Sequence, residues 1–294
     1  MSQPRTLYIA ALNIAMADHQ NQSYQKLLES IRRNRLFVRY HGDRGAMLTS
    51  VIQPDNLGSG EILVGTVSTF LNVDPNDNWL NTETGRPAED DDIRELVLPE
   101  HLKPGRKTFN FLFYAEYHRL FFTTRSPEGW LVSPQSMRKI FERFFLNPDV
   151  EERFGPIEVT AEPQTDALER IFSINQLKRL SISLVPPNAD DHDEEEERLL
   201  RRLRDQNARE HNEELVAEKG KSLNPDDETR TTARVAKSNG YVEAKGRDEN
   251  NDPDSYSTKE HPMIERAEYD PDTETISAAI WSKALLMMEA ILKR

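Results

Sequence analysis

The sequence predicts an α+β fold. Near the N-terminus apolar residues alternate with polar or small ones, at Leu7, Ile9 and Ala11, as in a strand with one buried face. Farther on they recur three and four residues apart, at Tyr24, Leu27, Leu28 and Ile31, which marks one face of a helix. Between residues 109 and 187 the two periods interchange in the order ββαβαβ, a ferredoxin-like succession that sets two helices against one sheet.

Taken in order, the first strand leads to a helix over 21–35, for which Asn21 or Ser23 is a suitable cap. Strands follow over 36–40, 46–52 and 62–73, the last two joined by the loop 56–60. The Pro-, Asp- and Asn-rich stretch 74–107 reads as a long surface excursion. A hairpin is expected from 109–114 and 119–124. Ser133 and Pro134 open a helix whose apolar face is Met137, Ile140, Phe141, Phe144 and Phe145. Strand 157–161, helix 165–172 and strand 180–185 complete the middle unit. From Asp190 an almost wholly acidic run leads into arginines, and Leu199, Leu203, Ala208, Leu215 and Val216 extend it as one long helix with a narrow apolar stripe. Further expectations are a helix over 226–238 ended by Asn239-Gly240, a strand over 241–246, a polar loop over 248–259, a strand over 263–269 and a last helix over 274–293. The three parts are then an N-terminal α/β part (1–108), the ferredoxin-like middle unit (109–187) and a C-terminal part (188–294).

The 294 residues include no cysteine, which excludes disulfides, zinc–thiolate sites and thiol nucleophiles and suits a cytoplasmic protein. The N-terminus has no basic leader. The most apolar stretch, 276–292, carries Lys283 and Glu289 and falls short of the roughly 20 residues a membrane span needs, so no membrane partner is expected. The net charge of −13 is uneven. Residues 188–294 hold 17 basic and 27 acidic side chains, a balance of −10, while the first two-thirds are close to neutral and leave room for a local basic face.

Catalytic signatures are sparse. There is no phosphate-binding loop, no Gly-x-Gly-x-x-Gly and no Gly-x-Ser-x-Gly, so no cofactor is expected. Asp190-Asp191-His192-Asp193 lacks the alternating ligands and glycine of a calcium loop and reads as a solvated helix start, so no metal site is expected. The catalytic candidate is Glu243-x-Lys245. Period 2 sets both side chains on one face of a strand, where a metal-dependent nuclease would need them with an earlier acid, Asp226 or Asp227. The bland alternative is an exposed cross-strand ion pair.

Basic clusters point to phosphates. Arg32, Arg33, Arg35 and Arg39 fall within one helix–strand unit, with Arg44 just beyond. Arg138, Lys139 and Arg143 lie opposite the phenylalanines of the middle helix, and Lys178 and Arg179 enter the strand ending the middle unit. If these faces share a groove they neutralise a nucleic-acid backbone without reading bases. Otherwise they are ordinary solvated helix faces. The last helix is apolar nearly all round, which suggests burial in its own core or a homodimer contact through Ile280, Trp281, Leu285, Met288 and Leu292.

Several stretches resemble a family of uncharacterised bacterial proteins, a domain of unknown function: Phe154-Gly155-Pro156-Ile157-Glu158-Val159, Leu177-Lys178-Arg179-Leu180, Pro186-Pro187-Asn188-Ala189-Asp190-Asp191, Asn239-Gly240-Tyr241-Val242-Glu243-Ala244-Lys245-Gly246 and Ser257-Thr258-Lys259-Glu260-His261-Pro262. The layout is also similar to that of phage lambda RexA and of Kiwa KwaB. That likeness implies a non-enzymatic, dimeric, DNA-associated protein of phage exclusion. The leading expectation is therefore a RexA-like abortive-infection protein that binds DNA, or a protein–DNA complex, without sequence specificity. The alternatives are an acidic module or DNA mimic that docks a basic protein at Asp190–Glu197, and the nuclease built on Glu243 and Lys245.

Overall fold

The computed structural model describes residues 4–16, 23–54, 61–74, 77–89, 91, 93, 99–126, 128–185 and 194–292, with the backbone alone at 194–197, 200 and 204. Strand β1 (Arg5–Met16) leads to helix α1 (Tyr24–Arg33), β2 (Phe37–His41), β3 (Arg44–Ile52), β4 (Ile62–Leu71), a small ribbon of β5 (Leu80–Asn81) and β6 (Arg86–Pro87), then β7 (Lys107–Tyr114) and β8 (Arg119–Thr123). Helices α2 (Pro134–Phe145) and α3 (Pro148–Phe154) precede β9 (Ile157–Ala161), α4 (Ala167–Phe172) and β10 (Gln176–Leu184). Then come α5 (Glu194–Asp205), β11 (His211–Val216), α6 (Asp227–Ser238), β12 (Gly240–Arg247), β13 (Pro253–Ser257), β14 (Ile264–Tyr269) and α7 (Ile276–Leu292). The mixture of helices and antiparallel sheets is the α+β class.

The larger sheet runs β14-β1-β8-β7-β4-β3-β2, with β9 also on β1. Its axis is β1, whose 12 residues outrun any one neighbour: β14 pairs with Arg5–Ala10, and β9 with Leu12–Met16 on the same side. Both faces of β1 are covered, so it is buried almost end to end. On one face α1 and α2 lay Leu27, Leu28, Ile31, Phe141 and Phe144 on Leu12, Ile14, Phe111 and Phe122. On the other, α7 lays Ile280, Ala284, Met287 and Ile291 on Leu7, Ile9, Leu112 and Phe121. The smaller sheet, β11-β10-β12-β13, has a separate core of Leu180, Ile182, Val242 and Ala244 under α4, α5 and α6.

Local signals decide the helix ends. Ser23 accepts from the Lys26 N–H at the start of α1, Ser133 accepts from Ser136 before Pro134, and Asp226 accepts from Thr229 at the start of α6. No described helix is long and apolar enough to cross a membrane.

Four expectations are corrected. The elements of 109–187 occur in the expected order, yet they form no self-contained ferredoxin-like unit: β7, β8 and β9 belong to the larger sheet and β10 to the smaller. The reason is long-range pairing. The surplus length of β1 captures β9, and β10 finds partners in β11 and β12. Pairings thus cross both expected boundaries, at 108/109 and 187/188. The long helix from Asp190 stops at Asp205. Asn207 takes a left-handed backbone (φ 53°), and residues 211–216 alternate half-buried and exposed along β10 instead of continuing a helical stripe. The expected loop 248–259 contains β13, an edge strand that tolerates Pro253 at its first position. Residues 186–193 and the loop 56–60 lie outside the described residues, so their expected features are not placed.

Candidate functional site

The two sheets meet at a buried polar joint. Glu162, fully buried just after β9, faces the Arg119 guanidinium of β8 at 2.8 Å and accepts from the Ser238 hydroxyl at the end of α6 at 3.0 Å. Arg119 also donates to Asn13 Oδ1 (2.6 Å) and to the Tyr117 carbonyl (2.9 Å). Asn13 Nδ2 in turn reaches the Ser238 carbonyl and Asn239 Oδ1. Strands of the larger sheet are thereby clamped to the α6–β12 corner of the smaller one. A buried charge network of this kind fixes a geometry because each member leaves another unpaired if it moves.

A cleft of about 530 Å³ opens at the same junction. Gln135 and Arg138 of α2 and Glu158 of β9 form one wall. Ser183, Arg209, Glu210, Tyr241 and Lys259 form the other. Arg138 is half-buried and is held by Gln135 (3.0 Å) and Glu142 (3.1 Å). Arg209 is exposed, 3.9 Å from Glu158. Lys259 Nζ sits 3.1 Å above the Tyr241 ring, and its backbone carbonyl accepts from Gln135 at 2.6 Å. Burial pushes the Lys259 pKa below the usual lysine value. Glu243 opposes this, Arg138 adds to it, and Glu210 opposes it. Hydrogen bonds from Asn212 and Ser183 (both 3.0 Å) hold the Glu210 carboxyl below its usual range, so it stays anionic. Three cations and two carboxylates thus line the cleft of a protein whose total charge is −13.

The cleft continues onto the face of the smaller sheet that, among the described residues, carries no helix. Because side chains alternate, Arg179 and Ser181 of β10, Glu243 and Lys245 of β12 and Glu214 of β11 share that face, opposite the apolar residues under α6. Arg179 stands beside Lys245 in register and pairs with Glu214 at 2.8 Å.

The structure scatters the basic residues expected to share a groove. Arg32, Arg33 and Arg35 cluster at the end of α1, where Arg33 pairs with Glu29 and borders a hollow of about 160 Å³ with Lys26 and Arg153. Val38 packs into the core under α1 and α2, so its neighbour Arg39 points from the opposite face of the larger sheet. Lys139 and Arg143 lie on the exposed side of α2, Lys178 donates to the Lys221 carbonyl, and Arg179 belongs to the smaller sheet. Of the expected set, Arg138 alone lines the cleft. Sequence reading missed Arg209, Glu210, Tyr241 and Lys259 as site residues. Tyr241 and Lys259 do fall within the stretches that carry the family resemblance, but their convergence needs the pairing of β12 with β10 and β13.

Glu243 and Lys245 do share a strand face, and Glu243 accepts from Ser257 at 3.3 Å. Asp226 caps α6 and Asp227 begins it, in the helical layer on the other side of the sheet, so the nuclease trio is not assembled. Among the described residues no three His, Asp or Glu side chains are grouped closely enough to hold a metal ion. The acidic run Asp190–Glu197 lies outside the described residues up to 193 and is helical backbone thereafter. In α7, Ile280 and Met288 are buried in the chain's own core and Trp281 is half-buried. Leu285 and Leu292 are exposed, together with Leu286.

The chain belongs to the family described as Domain of unknown function (DUF4747), whose model matches residues 5–285. No curated protein matches it in sequence.

Proposed function

We propose that this family member is a non-enzymatic bacterial protein of phage defence, acting in the cytoplasm, that binds nucleic acid through its phosphates without reading sequence. The cleft at the sheet junction is the binding place. The observation that carries the reading is the convergence of Arg138, Arg209 and Lys259 there, on an otherwise acidic molecule. Cations at the mouth of a cleft attract a polyanion, and fixed partners such as Gln135 and Tyr241 hold them in place. The carboxylates Glu158 and Glu210 restrict the attraction to the cleft mouth, which suits contact with a short backbone segment. The defence role rests on the likeness of layout to RexA and KwaB.

A mobility-shift assay with random-sequence DNA at low salt tests the binding. A shift by the wild type, lost in the Arg138→Ala/Arg209→Ala/Lys259→Ala variant, supports the reading. No shift by the wild type, or an undiminished shift by the variant, contradicts it. The defence role is tested separately, by phage plating on cells with and without the gene: equal plaque counts contradict it.

A further inference from the structure

We propose that β14 is a self-pairing edge, through which two copies of this chain join their larger sheets across a two-fold axis at Ala267. The strand ends the larger sheet and pairs with β1 alone. Among the described residues, no group beyond β1 hydrogen-bonds the backbone of Ile264–Tyr269, so its outer N–H and C=O groups stand as an open ladder. Edges left open in this way are normally blunted by proline, a bulge or charged side chains, lysine above all; the charges of β14, Glu265, Arg266 and Glu268, are of both signs and can therefore pair with a second copy of the strand. The sequence Ile-Glu-Arg-Ala-Glu-Tyr contains neither proline nor lysine, and its register on β1 is unbroken over six residues. By contrast β2, at the far edge, has an irregular register between Arg39 and His41.

The charges choose the partner. Arg266 and Glu268 lie two residues apart on one face, each 61 % exposed, and pair with each other along the strand, so a second copy would exchange this intrastrand pair for two cross-strand ones. When two β14 strands run antiparallel about a two-fold at Ala267, each Arg266 stands opposite Glu268 of the other copy, twice over. Shifting the centre to Glu265, Arg266 or Glu268 sets like charges directly opposite each other, which destabilises a ladder. On the other face Glu265, held by Lys283 of α7 at 2.9 Å, stands opposite Tyr269 of the other copy, so no like charges meet there. The strand is therefore complementary to itself in one register. This pairing does not require the α7 positions Ile280 and Met288, which the fold buries.

The test is the solution mass of the full chain by light scattering or sedimentation, independent of any nucleic-acid binding. The wild type is expected at twice its 33.9 kDa. Arg266→Glu and Glu268→Arg should each weaken association by about tenfold or more, because both cross-strand pairs turn repulsive. Mixing the two variants should restore a dimer, since glutamates at 266 and 268 of one chain then face arginines at 268 and 266 of the other. That rescue also shows that both variants fold. A monomeric wild type, a dimer indifferent to both reversals, or a mixture that stays monomeric overturns the proposal.

Discussion

Glu162 is a carboxylate with no exposed surface, and the Arg119 guanidinium 2.8 Å away offsets the cost of burying it. Arg119→Ala should therefore destabilise the fold by about 3–5 kcal/mol, read from urea unfolding, since it leaves a buried charge without its counter-ion. A loss under ~1 kcal/mol would mean that water reaches Glu162. Lys259 makes a pH prediction. Its folded pKa is depressed, so the unfolded chain binds the proton more tightly and stability from this residue rises with pH up to the ordinary lysine pKa of about 10.4. Its attraction for phosphate runs the other way and fades as pH rises through the depressed value. Nucleic-acid affinity should thus fall at a lower pH in the wild type than in Lys259→Arg, whose guanidinium stays charged. Superimposable pH profiles would remove Lys259 from the site.

At the scale of elements, α7 looked like a helix apolar on every side, and the structure divides it. Ile280 is completely buried on the outer face of the larger sheet, whereas Leu286 is 61 % exposed. Ile280→Ala should cost about 2–5 kcal/mol, and Leu286→Ser should stay within about 0.5 kcal/mol, both read as unfolding midpoints. Equal effects would place the helix differently. Gly65 in β4 sits where a Cβ would meet the Ser50 carbonyl and the Phe111 ring, so Gly65→Ala should cost about 1–3 kcal/mol by overpacking. The elements that sequence made legible are those with a local cause: the helix starts at Ser23 and Ser133, and the apolar stripes of α1 and α2. What it hid depends on distant partners. The half-polar run 211–216 is a strand because β10 offers it a ladder, and β9 joins the larger sheet because β1 is long enough to take two neighbours on one side. For the same reason Arg138 was legible as a basic residue on an exposed helix face, while its meeting with Arg209 and Lys259 was not: those three come from separate parts of the chain and are brought together at the junction of the two sheets.

Across the whole molecule, two antiparallel sheets are locked at an Arg119–Glu162 joint and leave a cleft beside it. Acidity concentrated in residues 188–294 repels a polyanion from much of the surface. Binding confined to the cleft then has few phosphate contacts and a modest salt dependence. The most direct measurement is affinity for short random DNA across a salt series, for the wild type and for Arg138→Ala/Arg209→Ala/Lys259→Ala. The wild type should bind with a slope in log K against log salt that is steeper than the variant's by about two to three, one lost contact per removed cation. Wild-type affinity indistinguishable from the variant's, with the same slope, would contradict the cleft as the phosphate-binding site.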